Sequence, residues 1–169
     1  LATVDAQVEG VHFLPDTPPL HIGQKAVAVS LSDIAAMGGK PKYCLVSLFL
    51  PKHITDKYVE NVYRGITQAC GKYSIDIVGG NITRASRLAI DIALLGEANP
   101  KNILLRSGAK AGDKVLVTGS LGDAATGLYL LQNPRKQVSK PVRDFLVAKQ
   151  INPTPRILES AVISRARRA

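Results

Sequence analysis

The sequence predicts an α+β fold, on three observations: an N-terminal segment with two-residue alternation, an apolar segment with helical spacing close behind it, and a third segment apolar on both alternating faces. In the first, Ala2, Val4, Ala6 and Val8 share one face and Thr3, Asp5 and Gln7 the other, which predicts a strand with a polar face centred on Asp5. A Pro-rich loop at residues 14–20 leads to a helix over residues 22–37, stopped by Gly38-Gly39. On a 3.6-residue period Ile22, Ala26, Val29 and Asp33 form one stripe, beside an apolar stripe of Val27, Leu31 and Ile34. A helix apolar over so much of its circumference is expected to be buried, with Asp33 in it. A buried carboxylate costs several kcal/mol unless a cation or donors compensate it, so Asp33 requires a partner.

Residues 43–50 read as a strand closed by Pro51, covered on both faces by helices or by another subunit. Thr55 or Asp56 caps a helix running to about Lys72 through Val59, Val62, Tyr63, Ile66 and Ala69. A short strand at residues 75–78 ends in Gly79-Gly80-Asn81. Another follows at residues 88–95, with Leu88, Ile90, Ile92 and Leu94 on one face and Asp91, read as a paired structural residue, on the other. A basic connector punctuated by Pro100, Gly108 and Gly112 divides an N-terminal domain, residues 1–110, from the beginning of a second, α/β domain at 111–169. There a strand is expected at 114–118, a turn at 119–122, and helices at 123–131, 141–149 and 155–165. No internal repeat or low-complexity tract interrupts this order.

The 169 residues suffice for one domain or one and a part, and 46% hydrophobic with 21% charged residues supports a core. No apolar run reaches the roughly 18 residues that span a bilayer, and no secretory signal precedes the first strand, so a cytoplasmic protein without a membrane partner is expected. Cys44 and Cys70 lack metal-ligand spacing and read as reduced core thiols. The net charge of +9 invites a nucleic-acid reading, but Arg156, Arg165, Arg167 and Arg168 crowd the last stretch without interleaved aromatics. A solvated surface, or lysines meeting a polyphosphate, fits better. The chain opens Leu-Ala-Thr and stops at Arg-Ala-Arg-Arg-Ala inside what reads as a continuing helix, so a fragment of a longer protein is expected.

The chemistry concentrates on carboxylates and glycines. Asp5 on a strand and Asp33 on a helix of the same layer can converge on a hard cation, and oxygen-only ligation of that kind suits Mg²⁺. Gly79-Gly80-Asn81 after a strand can let a phosphate approach the backbone, although it is also an ordinary turn. Gly119 to Gly122 lacks the Lys-Ser/Thr of a P-loop and the dinucleotide fingerprint. His12, beside Phe13, reads as a partly buried, hydrogen-bonded side chain. No zinc pair, nucleophile elbow or His-Glu-x-x-His is present, which leaves phosphate and magnesium chemistry.

Taken in order, the segments Thr3-Val-Asp-Ala-Gln-Val-Glu-Gly-Val-His-Phe13, Ser32-Asp-Ile-Ala-Ala-Met-Gly-Gly-Lys-Pro41, Ile77-Val-Gly-Gly-Asn81, Leu105-Arg-Ser-Gly-Ala109 and Val117-Thr-Gly-Ser-Leu-Gly-Asp-Ala-Ala-Thr-Gly-Leu128 resemble the thiamine-monophosphate kinase family, within the aminoimidazole-ribonucleotide-synthetase-like superfamily. Asn152-Pro-Thr-Pro-Arg156 fits a later segment of that family, so the resemblance covers essentially the whole chain. It implies an N-terminal mixed sheet with helices on one side, pairing with that of a second copy into a barrel-forming homodimer. It implies transfer of the ATP γ-phosphoryl group to thiamine monophosphate, giving thiamine diphosphate, with Mg²⁺ as cofactor. By the same resemblance Thr3, Asp5, Asp33 and Asn81 hold the metal, Gly80, Asn81 and Arg106 lie along ATP, and His12 and Tyr63 contact thiamine monophosphate. No residue is assigned covalent catalysis.

Three departures bear on this expectation. The family has an aspartate where this chain has Asn81, which keeps a carbonyl ligand but loses a charge. An acidic Gly-Asp-Asp segment before the first strand and a later Asp-x-Ser-Asp-Gly-Leu segment are absent from the sequence, so these 169 residues alone are expected to have negligible kinase activity. The rival readings are another ATP-dependent enzyme of the superfamily, such as a cyclo-ligase, and a degenerate, non-catalytic nucleotide- or nucleic-acid-binding module.

Overall fold

The computed structural model describes residues 1–166; Arg167 and Arg168 of the basic tail lie outside the described residues. Four strands, β1 (Ala2–Val8), β2 (Lys40–Leu50), β3 (Asp76–Arg84) and β4 (Ala89–Glu97), form one mixed sheet in the order β1-β4-β2-β3. β2 and β3 are parallel; β4 runs antiparallel to both β1 and β2. Helices α1 (Pro19–Ala36) and α2 (Asp56–Lys72) pack on each other and on one side of the sheet, α1 over β1, β4 and β2, and α2 towards β3. The α+β class with a mixed sheet and one helical layer is therefore as expected.

Alternation explains how the core forms. Cys44, Val46 and Leu48 of β2 and Ile90, Ile92 and Leu94 of β4 point into the helical layer, where they meet Ile22, Val27, Leu31, Ile34, Val62 and Ile66. Cys44 and Cys70 are buried and unbridged. Among the described residues no helix covers the opposite face of the sheet: Val4 is 65% exposed, and Tyr43, Leu45 and Leu95 also face out. The double-sided apolar pattern of β2 is thus met by helices on one face only.

The polar face of β1 turns towards α1, and its apolar face turns outward. Gln7 is buried, and Thr3 and Asp5 are half-buried. Alternation identified the two faces; which one the helix covers depends on tertiary packing. The close packing of α1 on α2 rests on two glycines. A Cβ on Gly65 would lie 2.0 Å from the Leu20 carbonyl oxygen, and one on Gly23 would lie 2.1 Å from that of Val62. Backbone meets backbone there, and no side chain fits between.

Thr55 caps α2, its hydroxyl oxygen accepting from the Tyr58 N–H at 3.3 Å. Thr55→Ala is expected to lower unfolding free energy by about 1 kcal/mol, measurable by urea denaturation, since the Tyr58 N–H loses this acceptor.

Two expected strands are corrected. The Gly79-Gly80-Asn81 segment does not end a strand. β3 continues through it to Arg84, with an irregularity in its pairing to β2 between Cys44 and Leu45. Gly80 makes this possible: at φ 158° a Cβ there would sit 1.8 Å from the Val46 carbonyl oxygen, so only glycine lets the two strands approach. Residues 114–118 form no strand, and Val115 is 93% exposed. A strand exists only within a hydrogen-bonded ladder, and none of the described residues pairs with this segment. The three later helices are present as α3 (Asp123–Gln132), α4 (Lys140–Ile151) and α5 (Ile157–Ala166). α3 packs on α4, and α5 docks on the end of α1 through a Ser160 hydroxyl donated to the Ala35 carbonyl.

Candidate phosphate and metal site

The last turn of α1 overhangs the start of β1, and this juxtaposition builds the site. Asp33 is not buried, contrary to the expectation from its apolar stripe. The buried side of α1 is made by Ile22, Ala26, Val27, Leu31, Ile34 and Ala35, and its embedded polar groups are Lys25 and Ser30, the latter donating to the Ile92 carbonyl at 3.1 Å. Asp33 stands at the open rim, where the Thr3 hydroxyl donates to its Oδ2 at 2.5 Å. Keeping the carboxylate at the rim avoids the cost of burying it.

Thr3 and Asp33 line a cavity of about 260 Å³ together with Leu1, Met37, Leu104 and Arg106. Asp5, two residues along β1 on the same face, has its carboxyl pushed above the usual carboxylate range, first by burial and then by the negative charge of Asp33, with His12 opposing. Two carboxylates that repel each other at a half-solvated rim are what a divalent cation would neutralise. Among the described residues no three His, Cys, Asp or Glu side chains group for metal binding. The set is therefore two carboxylates and a hydroxyl. It fits Mg²⁺, which binds through one or two carboxylates plus waters and phosphates, better than a metal that needs a full protein cage.

His12 lies in a tight turn after β1 and is exposed, against the expectation of partial burial. Its Nδ1 accepts the Val8 N–H at 3.1 Å, so the expected hydrogen bond is present. The turn is closed by Gly10 at φ 77° and by the Gly10 N–H donating to the Phe13 carbonyl at 2.8 Å. A residue not singled out from sequence supports it. Lys25 of α1, 9% exposed, donates its Nζ to the His12 carbonyl at 2.7 Å, and burial lowers its pKa. The signal was present, because Lys25 is a charge within the same apolar helix that drew attention to Asp33.

Thr3, Asp33 and Arg106 thus share one cavity, and Asp33 and His12 are both close enough to act on the Asp5 carboxyl. Gly80, Asn81 and Tyr63 are not brought there. β3 lies three strand spacings from β1, about 14 Å, and Asn81 stands in register with Ser47. Tyr63 packs on the core beside Cys44, its hydroxyl pKa raised by burial first and then by Cys44. Asp91 has no ion-pair partner among the described residues.

The fold and this rim define a class: a mixed-sheet α+β domain that gathers two carboxylates, a hydroxyl and a guanidinium at one rim. The family described as AIR synthase related protein, N-terminal domain, matches residues 1–98, and the chain belongs to that family. It is similar to the thiamine-monophosphate kinase of Aquifex aeolicus, at 41% identity over 157 residues, 93% of this chain and 50% of the relative. The crystal structure of the Aquifex aeolicus thiamine monophosphate kinase matches with a TM-score of 0.89 at 40% identity, covering 97% of this chain and 55% of that one. A structure of AaThiL complexed with AMPPCP and TMP matches with the same TM-score and identity, over 97% of this chain and 52% of that one. The chain spans about half the length of the curated relatives it matches.

Proposed function

We propose that this chain is part of a thiamine-monophosphate kinase, which transfers the γ-phosphoryl group of ATP to thiamine monophosphate and yields thiamine diphosphate and ADP. The observation that carries this reading is the Thr3–Asp33–Arg106 cavity beside Asp5, in a chain 41% identical to a protein of that name. The likeness to a complex with AMPPCP and TMP supports ATP and thiamine monophosphate as the pair of substrates.

The attacking group in this reaction is a phosphate oxygen, already largely anionic at neutral pH. No general base is then required, and catalysis reduces to positioning and charge neutralisation. Asp5 and Asp33, with Thr3, would hold Mg²⁺, which when bound offsets the charge of the ATP phosphates. Thr3 fixes the rotamer of Asp33 through its hydroxyl. Arg106 donates to phosphate oxygens, and His12 offers its Nε2–H to thiamine monophosphate. The in-line displacement breaks the bond from the γ-phosphorus to the ADP oxygen as the thiamine monophosphate oxygen bonds to that phosphorus.

The protein acts as a cytoplasmic homodimer in this reading. The two unpaired sheet edges, β1 and β3, and the apolar face of Val4, Tyr43 and Leu45 suit closure of two sheets into one barrel. β3 of one copy beside β1 of the other would bring Gly80 and Asn81, with Tyr63 behind them, towards the second copy's Asp5. Residues 111–169 begin a second domain that covers the nucleotide.

The test is conversion of thiamine monophosphate to diphosphate by the full-length protein with ATP and Mg²⁺. Absence of turnover, with salt-sensitive binding of DNA or RNA, would overturn the proposal in favour of a nucleic-acid module. Asn81→Asp in the same protein is expected to tighten Mg²⁺ binding by restoring a charged ligand. An unchanged magnesium titration removes Asn81 from the site.

A further inference from the structure

We infer that Lys25 is a positioning residue for the substrate-binding histidine: it clamps the turn at residues 8–13 so that His12 presents a fixed tautomer, Nε2–H outward. The inference rests on the kinase reading for the identity of the substrate but not for the geometry. Lys25 leaves α1 from its buried side and is 9% exposed, and its hydrogen bond is made to the backbone carbonyl of His12 at 2.7 Å. No carboxylate pairs with it among the described residues. An ammonium group largely withdrawn from water and without a counter-ion is costly, and a surface lysine would not need this placement.

The carbonyl it holds belongs to His12, whose ring meets the substrate in the proposed reading. A backbone N–H can only donate, so the Val8 N–H that reaches His12 Nδ1 at 3.1 Å requires that nitrogen to be unprotonated. The neutral ring then carries its proton on Nε2, the nitrogen left for a ligand. The same turn is fastened by the His12 N–H to the Val8 carbonyl at 2.9 Å and by Phe13 buried in the core. Lys25 makes the turn's one side-chain hydrogen bond to α1 among the described residues, and α1 also carries Asp33. One helix thereby fixes both the metal-facing carboxylate and the histidine, which sets the distance between the two substrate ends.

The experiment uses the full-length protein and the variants Lys25→Met, Lys25→Arg, His12→Ala and the Lys25→Met/His12→Ala double variant. Lys25→Met is expected to raise KM for thiamine monophosphate about 10-fold, with KM for ATP unchanged. Lys25→Arg, which keeps a donor for the carbonyl, restores most of it. In the His12→Ala background Lys25→Met adds little, because the residue acts through the ring. Independently of turnover, ¹⁵N NMR should show the single Nε2–H tautomer of His12 in the parent and a tautomer mixture in Lys25→Met. Equal rises in both KM values, full additivity with His12→Ala, or an unchanged tautomer would overturn the inference. If Lys25→Met does not fold, Lys25→Ala, which likewise has no donor for the His12 carbonyl, takes its place with the same readouts. If the parent shows no turnover, the kinase reading fails and the tautomer measurement alone decides the role of Lys25.

Discussion

Asp33→Asn in the full-length protein is expected to lower kcat/KM by about 10³-fold while leaving the fold intact or slightly more stable. Asparagine keeps an oxygen to accept from the Thr3 hydroxyl, so the local hydrogen bond survives. The negative charge at the rim is lost. In the parent the Asp5 carboxyl is pushed up by burial first and by the Asp33 charge second. A carboxyl whose folded pKa is raised contributes stability below its unfolded pKa and loses it as pH rises through the folded value. At neutral pH, without metal, the ionised pair is therefore a cost, and the asparagine removes the repulsive part. The check is a pair of measurements: magnesium-dependent turnover should collapse, and the thermal midpoint without magnesium should hold or rise. A loss of both would mark Asp33 as a structural residue and not a ligand. Stability given up for a charge pair is the usual signature of a functional site.

Gly65→Val is expected to cost about 3–5 kcal/mol, a large part of the stability of an ordinary domain, about 5–15 kcal/mol. The clash would fall on main chain, with the Leu20 carbonyl oxygen 2.0 Å from the new Cβ, so no rotamer change relieves it. α1 and α2 would have to separate, and α1 would shift from the sheet that sets Asp33 against Thr3. Gly71, on the same helix, is the control, since a Cβ there meets nothing within 4 Å. Gly71→Ala should stabilise by about 0.5 kcal/mol through reduced freedom of the unfolded chain. Chemical denaturation of both variants would separate the close-approach explanation from helix propensity. If Gly65→Val melted like the parent, the tight α1–α2 crossing would be wrong.

Alternation in β1, β2 and β4 and the helical periodicity of α1 and α2 were legible because each obeys a local rule that side-chain chemistry enforces. The cap at Thr55 was legible for the same reason. β3 was harder: Gly79 and Gly80 look like punctuation, and only the proximity of Val46 reveals that the second glycine lets a strand continue. Residues 114–118 have a strand's composition, but propensity cannot supply a pairing partner. The carboxylates of the candidate site were found by asking which charges sit in apolar surroundings. That question picked out Asp33 and passed over Lys25, which follows the same logic and proves the more buried of the two.

The sequence by itself determined the class of fold, most of its elements and the pairing of Asp5 with Asp33, because periodicity and the cost of isolated charge are properties of neighbouring residues. Only the tertiary structure decided that the polar face of β1 turns inward, that Asp33 stands at a rim and not in the core, and that Arg106 joins it. It also decided that Asn81 lies at the opposite edge of the sheet. Those facts depend on strand order and on where one helix crosses another, which are set by contacts between residues far apart in the chain and leave no local pattern to read.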